Sequence, residues 1–249
     1  MKYIGFFLKN KRVAYSVPFL IASILYAYYG CFASMGLLDG RLSFLTHFLG
    51  LDEGVPYGFA VLLLLLLLFI LADREGETNP LGITFQWRDL SNSLSLFVKV
   101  YFFSCLFALV LGGVFFILTR KLDAFQETRQ LNSLVSVLTS TPLSLGVLWV
   151  FLNAVFEETI FRAFLMNELN FFIRRGHVVV FLSALIQAGY HLYQGWFRCL
   201  IVFFLFLFFS SYYQKNKRLT PVILAHFYVD AFSLIMVKAF SSFAGIQKG

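Results

Sequence analysis

Long apolar runs dominate this chain and settle its fold class before any motif is read. Leucine occupies every position from Leu62 to Leu68, inside an apolar stretch over residues 55–72. Comparable stretches cover residues 13–33, 94–119 and 219–243. A helix needs roughly 20 predominantly apolar residues to cross the hydrocarbon core of a bilayer. Only 13% of the residues are charged and 59% are hydrophobic, whereas a soluble domain carries about 25% charge. There is too little polar sequence here to coat a water-soluble core. The expectation is an all-α, polytopic helical membrane protein with about seven transmembrane helices.

Taken in order, the spans are residues 13–33, 55–72, 94–119, Pro142 to the Arg174-Arg175 pair, 177–194, 196–213 and 219–243. The first follows Lys2, Lys9, Lys11 and Arg12. It is too long for a signal peptide's apolar region and has no A-x-A site after it, so it reads as an uncleaved helix. Residues 73–93 read as an interfacial loop with a short amphipathic helix around Trp87, which suits a membrane-interface anchor. Residues 120–141 read as a polar connection outside the membrane. The division expected is 1–93, N-terminal helices and interfacial loop, and 94–249, a helical core, within a single membrane domain.

The net charge of +7 is not a nucleic-acid footprint, because the basic residues form no arm or stripe. They cluster between the apolar runs. With the N-terminus inside, the inner segments hold Lys2, Lys9, Lys11, Arg12, Arg74, Arg88, Arg174, Arg175, Lys215, Lys217 and Arg218. The outer segments hold only Arg41, Arg120, Lys121, Arg129, Arg198 and Lys248. That bias follows the positive-inside rule and makes the N-terminus cytoplasmic. Cys31, Cys105 and Cys199 are far apart, form no C-x-x-C pair and read as buried free thiols.

Three spans carry ionisable groups at membrane depth, where each costs a few kcal/mol and usually has a named partner. The fourth contains Glu157-Glu158-Thr159-Ile160-Phe161-Arg162, the fifth ends with His191, and the seventh holds His226 and Asp230. Glu158 and Arg162 are four apart, on one helix face, and are expected to pair. Glu157 points about 100° away and is left for another task. Asp230 is placed to orient His226 by accepting a ring N–H. At 1.5 Å per residue, Glu157 lies roughly 25 Å and His191 about 21 Å from the same interface, but His226 only about 12 Å. That leaves a mismatch of some 10 Å.

The residue types limit the chemistry. H-E-x-x-H is missing, and so is G-x-S-x-G. A glutamate beside a histidine can take a proton from water, and a second histidine with an acid or amide neighbour can donate to a developing oxyanion. Glu157, His191 and His226 are also an acceptable three-ligand set for zinc or another divalent metal.

In this order and spacing, the residues resemble the three-motif pattern of the type II CAAX prenyl endopeptidases. The same pattern marks their bacterial relatives, the CPBP or abortive infection (Abi) membrane proteases. The pattern is Glu-Glu-x-x-x-Arg, a histidine closing a later helix, then His-x-x-x-Asp/Asn, and it covers residues 144–233. The resemblance implies that Glu157 and His191 activate water, that His226 and Asp230 stabilise the oxyanion, and that Glu158 and Arg162 support the first motif. It implies a peptide or protein C-terminal tail as substrate in a membrane lipid environment; no nucleic acid partner is expected from the charge pattern, and the sequence shows no eukaryotic trafficking signal, so a bacterial inner membrane is expected. Whether the chemistry is glutamic-type or metal-dependent is left open. One position departs from the pattern. The second motif is usually Phe-x-x-x-His, and Gln187 stands at its first position. The other reading is a non-catalytic membrane protein, such as an immunity or partner-binding factor that retains the fold, or a proton-relaying transporter.

Overall fold

The computed structural model of this chain describes residue 21, residues 83–119 and residues 140–243. The chain divides into two compact units, Met1–Leu81 and Gly82–Gly249, and the helices below belong to the second. The expected spans at 13–33 and 55–72, and most of the connection over 120–141, lie outside the described residues.

Among the described residues every element is helical and no strand occurs. Helix α1 is Trp87–Thr119 and α2 is Leu143–Glu158. The same rod continues as a π-helical segment, Thr159–Met166, and then as α3, Asn167–Ile173. Helix α4 is Gly176–Gly189, followed by a 3₁₀ turn at Tyr190–Gln194. Helices α5, Trp196–Asn216, and α6, Thr220–Phe243, complete the order. Four stretches are long and apolar enough to cross a membrane, namely Trp87–Leu118, Leu143–Ile173, Trp196–Asn216 and Thr220–Phe240. They correspond to the expected third, fourth, sixth and seventh spans.

Two expectations change. Helix α1 begins at Trp87, not at residue 94, so the short helix expected around Trp87 is continuous with the span. The polar character of residues 87–93 is accommodated by partners. Asp89, in the first turn, accepts from the Gln86 N–H at 2.8 Å and from Arg218 Nη2 at 2.8 Å. An acid in a first turn also suits the positive end of the helix dipole. The fifth span is shorter than expected. Its α-helical part, α4, has 14 residues, below the roughly 20 needed to cross. It tightens into the 3₁₀ turn and stops at Gly195, whose φ of 96° and ψ of 151° lie in a region that is essentially glycine-only.

Helix α6 packs against α1 and α2, α5 packs against α1 and α4, and the π-helical segment packs against α4 and α5. That segment is the inside of the bundle, with all eight of its side chains buried. Its carbonyls find side-chain partners, as where Ser183 Oγ of α4 donates to Phe161 O at 3.2 Å. The outward faces are apolar and exposed, with Leu94, Val98 and Phe102 on α1 and Leu145, Leu148 and Leu152 on α2, as a lipid-facing surface requires. Where α2 meets α6, a Cβ at Gly146 would come within 2.9 Å of Leu234 Cδ2, so glycine permits the close approach. Lys238 Nζ donates to Thr141 O at 2.6 Å, tying the far end of α6 to the start of α2. Cys105 and Cys199 are free thiols. Cys105 is exposed, which corrects the expectation of burial, because its face of α1 points out of the bundle.

Candidate active site

Five of the described segments contribute to one cluster. Asn153, Glu157 and Glu158 come from α2, Arg162 from the π-helical segment, Gln187 from α4, His191 from the 3₁₀ turn, and His226 and Asp230 from α6. Glu158, Arg162 and Gln187 are fully buried, while Glu157 is 7% and His226 4% exposed.

The expected pair forms, with Arg162 Nε 3.0 Å from Glu158 Oε2. The guanidinium also lies over the Phe206 ring, 5.1 Å from its centroid, a favourable cation–π arrangement in a desolvated setting. Glu158 has a second partner that sequence spacing does not reveal. Its Oε1 lies 2.7 Å from His226 Nδ1. A carboxylate ionised by its arginine is an acceptor only, so Nδ1 carries the proton and donates to it. The carboxylate that orients His226 at short range is therefore Glu158, where the sequence suggested Asp230. Asp230 Oδ2 stands 3.5 Å from His226 Nε2. The same Nε2 lies 4.0 Å from Glu157 Oε2. The two adjacent glutamates thus straddle one imidazole, one beside each ring nitrogen.

Both Glu157 oxygens have amide donors. Asn153 Nδ2 donates to Oε1 at 2.8 Å, and Gln187 Nε2 donates to Oε2 at 3.0 Å. The Asn153 side chain also hydrogen-bonds to Asp230, so it bridges the first and third motifs. Sequence reasoning passed over Asn153, although an amide one turn before Glu157 in an apolar span was the available signal. It also passed over Phe206, one ring among many phenylalanines in α5.

His191 is half-buried and lies within electrostatic reach of Glu157 and His226. Its Nδ1 is 3.2 Å from Gln194 Nε2 in the same turn. The Phe206 ring lies beside both histidines, its centroid 5.6 Å from that of His191 and 5.8 Å from that of His226.

The depth mismatch expected for His226 is closed. The sequence count took Arg218 as the water line, yet Arg218 reaches inward to a fully buried Asp89. The charge of Arg218 is therefore a poor marker of the water line. The π-helical segment, which advances less per residue than an α-helix, shortens the path from Glu157 to Arg174 as well.

Two ligands about 2 Å from a tetrahedral zinc are about 3.3 Å apart, and Glu157 Oε2 and His226 Nε2 are separated by 4.0 Å. Glu158 engages the other ring nitrogen. Among the described residues no group of three His, Cys, Asp or Glu side chains is arranged to hold a metal ion.

A buried carboxylate–imidazole cluster, set among apolar helices of membrane-crossing length, defines an integral membrane protein with a polar site at depth. Residues 139–232 match the family model of the Rce1-like proteins, described as type II CAAX prenyl endopeptidase Rce1-like. The matched stretch contains every residue of the cluster and agrees with the resemblance read over residues 144–233. Comparison with curated proteins and with solved structures found no match.

Proposed function

We propose that this chain is an intramembrane endopeptidase that hydrolyses a peptide bond near the membrane, with Glu157 as the general base. The observation that carries this reading is the placement of Glu157 Oε2, clamped by an amide and 4.0 Å from an imidazole nitrogen. The family match over residues 139–232 supports the reaction class.

Glu157 takes a proton from water as the oxygen attacks the substrate carbonyl. His191 holds that water. Its Nδ1 faces the Gln194 amide, so contact with the water falls to Nε2. The carbonyl oxygen becomes an oxyanion and accepts a hydrogen bond from His226 Nε2–H. Glu158 accepts from Nδ1–H and fixes the orientation of His226, and Nε2 donates when the ring carries its second proton. Asp230 holds the ring from the Nε2 side. The proton on Glu157 passes to the departing amine, giving a carboxylate and a free amine. The substrate is the C-terminal tail of a peptide or protein presented from the lipid. The charge bias supports an N-terminus in the cytoplasm, and the membrane we assign is a bacterial inner membrane.

The test is cleavage of a quenched peptide library by purified protein in detergent, with and without a chelator. Glu157→Gln is expected to lose 10²- to 10⁴-fold in rate, about what a positioned general base contributes, without losing folded protein. Wild-type cleavage by Glu157→Gln would overturn the assignment. Activity lost on chelation and restored by a divalent metal would move Glu157, His191 and His226 to the role of ligands. A folded wild-type protein that cuts nothing yet captures a protein partner would favour the non-catalytic reading.

A further inference from the structure

We infer that Gln187 is a positioning residue, whose amide fixes the rotation of the Glu157 carboxylate so that Oε2 faces the reacting centre. The inference rests on Glu157 acting as the base.

The geometry is specific to one oxygen. A glutamate carboxylate turns about a terminal sp³–sp² torsion that is broad and roughly two-fold, so the backbone and rotamer do not fix its plane. Asn153, one turn earlier on the same helix, holds Oε1. The Gln187 amide, from another helix, donates to Oε2 at 3.0 Å. Oε2 is also the oxygen nearer His226 Nε2. The bond from α4 therefore sets the direction in which the base presents its reacting lone pair.

Gln187 is poorly suited to a purely structural role. It is fully buried, and its Oε1 has no hydrogen-bond partner among the described residues. A buried acceptor left unsatisfied lowers stability, and an apolar side chain of the same shape avoids that loss. The amide orientation is not ambiguous, because a carboxylate is an acceptor and draws the NH₂ group towards it. In the family pattern this position is a phenylalanine, a packing residue. Here it has become the donor that grips the base.

The test compares wild type, Gln187→Met and Gln187→Phe in steady-state cleavage, with rates normalised to folded protein and thermal midpoints measured in the same detergent. Glu157→Gln is run alongside. Removing the amide is expected to lower kcat by 10- to 100-fold with KM within twofold, while the thermal midpoint holds or rises. A kcat within twofold of wild type in either apolar variant, with Glu157→Gln inactive, would overturn the positioning role and leave the base assignment intact. Loss of folded protein in both apolar variants would assign Gln187 to the fold and also overturn it. If Glu157→Gln cleaves at the wild-type rate, the base assignment fails first, and the role of Gln187 fails with it.

Discussion

Arg162 and Glu158 show how much one buried ion pair carries in this protein. Both are fully buried, and Glu158 hands its second oxygen to His226 at 2.7 Å. Removing the arginine leaves an uncompensated carboxylate beside that imidazole. Arg162→Ala is therefore expected to destabilise the fold by about 3–5 kcal/mol, the usual effect of removing one partner of a buried pair. The check is the thermal midpoint and folded yield in detergent, and a midpoint equal to wild type would contradict it. Glu157→Gln, which keeps a side chain of the same shape, affects rate and not folded yield. The two variants separate holding the site from running it.

At the scale of elements, the breaks in helical regularity lie around the site. The π-helical segment Thr159–Met166 follows directly after Glu158, and such insertions concentrate at functional positions. The 3₁₀ turn carrying His191 ends at Gly195, with φ at 96°. A side chain there is strained whatever space surrounds it. Gly195→Ala is expected to cost about 1–3 kcal/mol and to lower cleavage further by displacing His191. Unfolding and kcat on the same preparation give both readouts, and an unchanged midpoint would show that the turn tolerates a Cβ. Sequence periodicity anticipated α2, α5 and α6 closely, because apolar length is a local property. It placed a helix around Trp87 but missed that this helix runs straight into the span, since the polar side chains there are satisfied by a distant residue. It also missed the short α4, whose end depends on backbone dihedrals that hydropathy does not record.

Across the whole of the second unit, long-range polar ties hold the helices in register. Arg218, between α5 and α6, donates to Asp89 at 2.8 Å and to Gln86 at 2.8 Å, and Thr220 Oγ1 donates to the Thr84 carbonyl at 2.9 Å. These bonds fix the level at which α6 starts and hence the height of His226. Arg218→Ala leaves Asp89 buried without its cation and is expected to cost about 1.5–3 kcal/mol, the range for hydrogen bonds to charged groups. Asp89→Leu combined with Arg218→Ala should recover part of that stability, because no stranded charge remains. A double variant less stable than the single one would refute this account of the tie.

Local sequence was enough for the class of protein, the positions of the described long spans and the identity of the ionisable residues within them. It determined the Glu158–Arg162 pair too, because residues four apart on one helix are neighbours whatever surrounds them. Only the tertiary structure decided which carboxylate grips His226, that Asn153 and Gln187 clamp opposite oxygens of Glu157, and that His226 reaches the level of the glutamates. Hydropathy and i, i+4 spacing are properties of one segment. Contacts between helices depend on rotation, depth and the rise per residue, and here a π-helical segment and an inward-reaching arginine set all three.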